Sequence, residues 1–208
     1  MTPAFQQQWN LKGHVFGTCM SKPNSDLMYI NVPKNASSWT KPNLEELGWE
    51  FYNYHEDDIK DRHSIIVLRD PIDRWLSGIC EYFTLYHPDA NLDNVGKEFW
   101  DVVIDRVVFD DHTEKQVYFV EDLDFTNATF FMCDATYRIF LEQFLRARGI
   151  GNTFSRYTYK HTTEESDIRK KFKKYFKPLI ENSKYYEHIK KYYAFDYDLI
   201  SSVKFYGT

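Results

Sequence analysis

The sequence predicts a single α/β domain in which a mostly parallel sheet is flanked by helices. The first observation behind this fold class is that short apolar runs alternate with longer segments of helical periodicity. The second is chain length, since 208 residues are typical of one domain. The third is that no linker rich in glycine, serine or proline divides the chain. We therefore expect residues 1–208 to form one domain, with its core over about residues 27–200.

Four short segments have the composition of strands. Each is rich in aromatic, aliphatic or β-branched residues and is followed by a polar or turn-forming residue. They cover residues 27–32, 49–54, 64–68 and 129–133. We expect the second of these strands to lie beside the first in the sheet. Ligands of such sheets bind at the carboxyl ends of the strands.

Helices are predicted between and after these strands. A short one is expected over residues 43–47, where Gly48 ends it. Asp70 and Pro71 supply an N-cap and a first helical residue, and apolar residues recur at helical spacing behind them. Three more helices are expected over residues 95–108, 135–148 and 166–176.

Charge is distributed unevenly along the chain. The net charge of −5 argues against a general nucleic-acid-binding protein. Residues 156–191, however, carry eleven Lys and Arg against five Asp and Glu. This basic segment is either a solvated helix surface or a region that attracts an anionic ligand.

The sequence also bears on where the protein resides. No apolar run approaches the roughly 18–20 residues of a membrane span, and the first residues lack the apolar core of a secretory signal. The three cysteines are odd in number and have no CxxC spacing, which argues against a disulfide framework or a zinc site. We therefore expect a cytoplasmic protein without a membrane span.

An anion-binding turn is predicted directly after the first strand. The segment PKNASSW, which we call the anion loop (residues 33–39), joins this strand to a helix N-terminus, where backbone N–H groups and the helix dipole attract anions. Lys34 adds a positive charge, and Ser37 and Ser38 add hydroxyl donors. The pattern GxxxxGK[ST] of a Walker A loop is absent. A Ser-capped helix beside a solvated lysine would explain the loop equally well.

A second block of polar residues follows the strand over residues 64–68. Arg69 stands at the carboxyl end of this strand, where its guanidinium can bind a phosphate in a forked geometry. Lys34 and Arg69 are 35 residues apart, which suits neighbouring strands of one sheet. Both residues could then face one anionic ligand. The alternative is that Arg69 and Asp70 only cap the helix or form an ion pair.

Together, the two blocks resemble the sulfotransferases that use 3′-phosphoadenosine 5′-phosphosulfate (PAPS), most closely the branch that acts on carbohydrates. The first motif of that family is Pro-Lys-x-(Gly/Ala)-(Ser/Thr)-(Ser/Thr), and its second is Arg-Asp-Pro-x-x-Arg-x-x-Ser. Here they read PKNASSW and RDPIDRWLS, in the family's order and at the expected strand ends. The resemblance implies a P-loop-like sheet that binds PAPS as co-substrate and needs no metal.

The resemblance also implies roles for individual residues. Arg69 and Ser77 of the second motif would bind the 3′-phosphate of PAPS. The anion loop would bind the 5′-phosphosulfate, and Lys34 would also stabilise the leaving oxygen during catalysis. The loop residues expected to contact the co-substrate are Lys34, Asn35, Ala36, Ser37, Ser38 and Trp39.

Weaker similarity to the family continues along the chain. Residues 111–116 resemble a His-x-x-Pro-Gln segment of relatives, and residues 192–199 resemble a tyrosine-rich closing segment. Lys115 replaces the usual proline, and Pro42 must lie in the first turns of its helix or kink it. These departures concern the acceptor pocket more than PAPS binding.

A sulfuryl transfer also needs a base for the proton of the acceptor hydroxyl. His55 is the leading candidate because it follows the second strand, and related glycan sulfotransferases place a base histidine in a similar stretch. It could instead cap the acidic helix that follows. Glu56 and His112 are the competing bases, whereas His63 precedes its strand and is expected at the opposite end of the sheet.

The sequence thus predicts a PAPS-dependent sulfotransferase whose acceptor is a hydroxyl group, with carbohydrates as the favoured class. We expect no nucleic-acid partner. Two other functions remain open. One is a P-loop-like kinase of nucleotides or metabolites, and the other is a protein that binds adenosine 3′,5′-bisphosphate (PAP) or a glycan without catalysis.

Overall fold

The apolar runs form strands of one sheet in the computed structural model, which describes residues 18–53, 61–150, 154 and 167–208. All four predicted strands are found, and each begins and ends within two residues of its expected bounds. A further strand precedes all of them. In chain order the strands are β1 (Thr18–Ser21), β2 (Leu27–Ile30), β3 (Glu50–Asn53), β4 (His63–Leu68) and β5 (Ala128–Met132).

The sheet is mixed rather than mostly parallel, so this part of the sequence prediction is wrong. Its strand order is β3-β1-β2-β4-β5. The pairs β2–β4 and β4–β5 are parallel, whereas β1 runs antiparallel to both of its neighbours. Strand β1 therefore separates β3 from β2, which the sequence predicts to be adjacent. Because β1 is antiparallel to both, β2 and β3 still point in the same direction.

Seven α-helices are found in the described ranges. The first is longer than predicted, because it begins inside the anion loop and accommodates Pro42 in its interior. The last two helices cover residues for which the sequence predicted no element. The helices are α1 (Ser37–Glu46), α2 (Pro71–Tyr86), α3 (Lys97–Arg106), α4 (Tyr137–Ala147), α5 (Asp167–Glu181), α6 (Ser183–Tyr192) and α7 (Ala194–Ser202).

Helix α2 begins as its sequence predicts. Pro71 is its first residue, and the Asp70 carboxylate accepts a hydrogen bond from the Asp73 N–H at 3.0 Å. This cap satisfies one of the N–H groups that a helix start leaves unpaired. The RDPIDRWLS block of the sequence is thereby fixed at the junction of β4 and α2.

Alternation along the strands gives the sheet two apolar faces. Leu27, Tyr29 and Val67 pack with α1 and α4 on one face. Met28 and Leu68 face the opposite side, where the 3₁₀ helix Gln116–Phe119 and α7 cover them. A third cluster joins α2, α3, α5 and α6 beside the sheet. None of the described helices is long and apolar enough to cross a membrane.

Candidate anion-binding site

The parallel pair β2–β4 brings the two sequence blocks together, as the spacing between them predicts. The Arg69 guanidinium donates a hydrogen bond to the Lys34 carbonyl oxygen at 3.2 Å. The anion loop and the end of β4 therefore lie side by side at the carboxyl edge of the sheet. This is the edge where α/β folds bind their ligands.

The anion loop has an unusual backbone. Lys34 and Ala36 have φ values of 67° and 59°, in the left-handed region that residues other than glycine seldom adopt. Such turns can direct successive N–H groups toward an anion. Ala36 occupies the N-cap position of α1, and no side chain of the described residues caps it. The half-buried Ser37 and the exposed Ser38 follow in the first helical turn.

A buried amide network fixes this loop to the end of β4. The Asn35 Nδ2 donates hydrogen bonds to the Val67 carbonyl at 2.7 Å and to Gln116 Oε1 at 2.6 Å. Gln116 Oε1 also accepts from the Arg69 N–H at 2.9 Å, and Gln116 Nε2 donates to the Arg69 carbonyl at 2.8 Å. Asn35 and Gln116 are fully buried. The Gln116 side chain therefore holds the anion loop and the Arg69 end of β4 together.

Helix α7 holds Gln116 in turn. The buried Asp196 carboxylate accepts hydrogen bonds from the backbone N–H groups of Gln116 and Val117 at 2.9 and 3.0 Å. Burial raises the pKa of Asp196, and these N–H donors act against that rise. The tyrosine-rich segment near the end of the sequence thereby supports the anion loop through Gln116.

Arg74, the second arginine of the RDPIDRWLS block, is a positioning residue. Its buried guanidinium donates to the Pro33 carbonyl at 2.9 Å and to the Asp111 carbonyl at 3.0 Å, and it also bonds the Glu114 carbonyl. The loop that supplies these last two carbonyls lies directly on α2. A Cβ atom at Gly78 would be 2.2 Å from the backbone oxygen of His112, so only glycine permits this approach.

The charged part of the site is formed by four side chains, which we call the ionic cluster: Lys34, Ser77, Glu81 and Arg169. The Lys34 ammonium and the Arg169 guanidinium each lie 3.3 Å from the same oxygen of Glu81. Arg169 also donates a hydrogen bond to the Ser77 hydroxyl at 2.9 Å. The side chains of Lys34, Arg169 and Glu81 are 15%, 20% and 27% exposed, so solvent still reaches the ion pairs.

Electrostatics within the ionic cluster follow from this arrangement. Burial lowers the pKa of Lys34, and the positive charge of Arg169 lowers it further, against the opposite effect of Glu81. Burial alone would raise the pKa of Glu81, but Lys34 and Arg169 outweigh it and hold that pKa below its usual value. Glu81 is therefore a carboxylate at neutral pH.

An aromatic group lies at the other end of the anion loop. Trp39 makes edge contacts with Tyr137 and Phe154, whose ring centroids are 5.9 and 5.2 Å away. The Arg138 guanidinium lies 5.1 Å from the Trp39 ring centroid. Trp39 is half-buried, so part of its ring remains accessible for stacking on a flat ligand.

His112 lies behind the ionic cluster, between two carboxylates. Its Nδ1 atom is 2.9 Å from Asp110 and 3.1 Å from Asp111. Burial would lower the pKa of His112, but hydrogen bonds to both carboxylates raise it to about 9. The ligand atoms of these three residues lie within 4.8 Å of one another, a spacing that a metal ion could bridge. At neutral pH the protonated imidazole of His112 supplies the positive charge between these two carboxylates.

The remaining predicted residues fall in two groups. His63 lies at the amino end of β4 and bonds Asn127 and Thr129, so it is remote from the anion loop, as expected. His55 and Glu56, the two leading candidates for the base, lie outside the described residues. The first part of the basic segment, residues 156–166, also lies outside them.

The sequence did not assign two members of the ionic cluster to the site, although Arg169 lies in the basic segment for which it offered an anion-attracting role. Glu81 lies one helical turn beyond Ser77, and that spacing was the only available signal for it. Arg169 is 92 residues away from Ser77, so no local pattern links them.

Comparison of the chain with protein-family models, curated proteins and solved structures finds no match.

Proposed function

We propose that this chain transfers the sulfuryl group of PAPS to a hydroxyl acceptor, with carbohydrates as the favoured class. One observation carries the proposal: the anion loop and the Arg69 end of β4 lie side by side, linked by the 3.2 Å hydrogen bond from Arg69 to the Lys34 carbonyl. The two blocks that resemble sulfotransferase motifs thus share one edge of the sheet, which supports the expectation of a P-loop-like site.

The reaction is a substitution at sulfur. The acceptor oxygen forms a bond to sulfur, while the bond from sulfur to the bridging phosphate oxygen breaks. The hydroxyl proton goes to a base, and PAP leaves with the electron pair of the broken bond. As in phosphoryl transfer, most of the catalysis comes from alignment and from positive charge at the leaving oxygen.

Each anionic group of PAPS has a proposed binding place. The 5′-phosphosulfate binds the N–H groups at the start of α1, with the Lys34 ammonium near the leaving oxygen. The 3′-phosphate binds Arg69 and Ser77, and Arg169 joins them because it already donates to the Ser77 hydroxyl. The half-buried Trp39 ring is the proposed stacking surface for adenine.

The base remains His55 or Glu56 in this proposal. His112, the third candidate, is disfavoured because its Nδ1 is bonded to Asp110 and Asp111 and its pKa is raised to about 9. An imidazolium has no lone pair on nitrogen with which to take the proton of the acceptor hydroxyl. The compartment proposed is the cytoplasm, where the free thiols of Cys19, Cys80 and Cys133 stay reduced.

Calorimetric PAP binding and a transfer assay with labelled PAPS over a panel of glycans and small alcohols test this function. Arg69→Ala should weaken PAP binding by roughly tenfold to a hundredfold, because a charge-assisted contact contributes about 1.5–3 kcal/mol. Arg146→Ala is the matched control, since Arg146 is half exposed and pairs with Glu142 on the same helix. Equal PAP affinity in wild type and Arg69→Ala would contradict the assignment.

The two rival functions give different results in the same assays. A kinase would need Mg²⁺, and the Asp110–Asp111 pair beside the site is the feature that favours it. Transfer that proceeds unchanged in a chelator supports the sulfotransferase, whereas ATP-dependent phosphorylation that requires Mg²⁺ supports the kinase. Tight PAP binding without transfer to any acceptor supports the non-catalytic binding protein.

A further inference from the structure

Glu81 is an anion held between the two cations that the proposed function assigns to the co-substrate. One of its oxygens lies 3.3 Å from the Lys34 ammonium and 3.3 Å from the Arg169 guanidinium. The carboxylate therefore already occupies the position between cations that a bound phosphate or sulfate would take. It lies on α2 one turn after Ser77, so it borders the proposed 3′-phosphate position.

We propose that Glu81 determines specificity for a 3′-phosphorylated nucleotide, an inference that rests on the proposed function. A ligand with anions at both the 5′ and the 3′ position replaces both ion pairs of Glu81. A ligand that lacks the 3′-phosphate replaces only the pair with Lys34. The carboxylate then stays on Arg169, close to the ligand anion, and repels it.

The surroundings of Glu81 allow this exchange. The charged groups that face its carboxylate are Lys34 from the anion loop, Arg169 from α5 and His112 from the loop on α2. Its side chain is 27% exposed, so it can leave the two cations and be hydrated without crossing the core. Ion pairs at such partly exposed positions contribute little net free energy and are easily traded for a better anion.

A carboxylate that sets ligand specificity and one that only forms a structural ion pair have different measurable effects. A carboxylate that only stabilises the fold would change melting temperature without changing the choice between ligands. A carboxylate that competes with the ligand changes that choice, and it penalises the nucleotide with fewer anionic groups more strongly. The ratio of two affinities is therefore the informative quantity.

The experiment compares PAP with adenosine 5′-monophosphate (AMP), which differ only in the 3′-phosphate. Calorimetry gives both affinities for wild type, Glu81→Gln and Glu187→Gln. Glu187 is an exposed carboxylate on α6, outside both sequence blocks, and its replacement removes the same charge by the same substitution. Glu81→Gln should tighten AMP binding by roughly tenfold and PAP binding by less than about threefold, as expected when one like-charge contact is removed.

Two further observations complete the test. Glu187→Gln should shift both affinities by the same small factor and leave the PAP-to-AMP ratio unchanged. Without ligand, Glu81→Gln should melt a few degrees lower than wild type, because Lys34 and Arg169 then repel each other. At saturating concentrations AMP should restore more of that loss than PAP does, because the substitution tightens AMP binding more. This restoration also shows that the variant is folded.

The outcomes distinguish this inference from the proposed function. If wild type binds PAP and Glu81→Gln leaves the PAP-to-AMP ratio unchanged, the role of Glu81 is refuted while the sulfotransferase proposal stands. An equal tightening of PAP and AMP binding in Glu81→Gln leaves this ratio unchanged and therefore refutes the role of Glu81 too. If wild type binds neither nucleotide, the proposed function is refuted and this inference falls with it.

Discussion

The anion loop is held by two neighbouring sets of contacts that differ in chemistry. The amide network of Asn35 and Gln116 is neutral and fully buried. The ionic cluster around Glu81 is charged and partly exposed. A ligand cannot replace the first set, because the polar atoms of Asn35 and Gln116 face only protein. It can replace the second, since a phosphate offers Lys34 and Arg169 the same kind of partner that Glu81 does.

The amide network and the ionic cluster perform different tasks within a few ångströms of each other. The amide network gives the loop a fixed shape, because buried hydrogen bonds are costly to leave unmade. The ionic cluster holds two like charges together through Glu81, which an anionic ligand replaces under the proposed function. Three substitutions test whether the tasks are separate in this way, beginning with the largest expected effect.

Gln116→Ala should be the most damaging of the three substitutions. It removes hydrogen bonds to Asn35, to both backbone groups of Arg69 and to Asp196. The free energy of unfolding should fall by about 3–5 kcal/mol, since each buried group left unpaired costs about 1–3 kcal/mol. Chemical denaturation measures this change.

Gln143→Ala is the control for that substitution. Gln143 is exposed on α4, and its loss should change the free energy of unfolding by less than about 0.5 kcal/mol. If Gln116→Ala were equally mild, the amide network would not be the rigid part of the site. The comparison between the two regions would then be wrong.

Lys34→Ala should show the opposite profile. The transfer rate should fall by about 10²-fold or more, the size of losing one electrostatic stabiliser of the transition state. The melting temperature should stay within a few degrees of wild type, because Glu81 keeps Arg169 as a partner. Initial rates with labelled PAPS and a thermal melt measure the two quantities.

Lys170→Ala is the matched control for Lys34→Ala. Lys170 is 57% exposed and pairs with Asp167 on α5, so its removal takes away one positive charge near the site without entering it. Its rate should stay near that of wild type. A loss of folding in Lys34→Ala would show that the ionic cluster is structural too, and a near-native rate would remove Lys34 from the mechanism.

The smallest expected effect concerns pH and His112. Its pKa is raised from an unfolded value of about 6.5 to about 9 in the folded chain. The folded state therefore binds this proton more tightly, and the resulting stability is complete below about pH 6.5 and lost as the pH rises through about 9. The contribution should be about 1–3 kcal/mol.

The measurement is the difference in free energy of unfolding between wild type and His112→Asn from pH 6 to pH 10. Other groups titrate in this range, but they do so in both proteins and cancel in the difference. The advantage of wild type should shrink as the pH rises. A difference that is constant, or that grows with pH, would show that His112 is not held as an imidazolium by Asp110 and Asp111.

The sequence predicted the parts of the site that depend on local patterns. The anion loop and the Arg69 block each follow an apolar strand, and 35 residues between Lys34 and Arg69 predicted neighbouring strands. The N-cap at Asp70 was equally readable, because capping depends on residues within one turn.

Other features could not be predicted, because their cause lies far along the chain. Strand β1 has only four residues, TCMS, which show neither strong β propensity nor clear alternation. It turned the expected parallel sheet into a mixed one and displaced β3 from β2. Arg169 reaches Ser77 only through the packing of α5 against α2, and Asp196 reaches Gln116 only through α7.

The clamp made by Gln116 has a kinetic consequence. It joins Asn35 to a residue 81 positions later, which itself is bonded to Asp196 a further 80 positions along the chain. Contacts of such long range form slowly, because closing large loops costs chain entropy before any bond compensates for it. The strands and the first helices can assemble earlier from nearer neighbours. We therefore expect the loop to reach its final shape only when α7 docks, so that the proposed anion site forms in the final phase of folding.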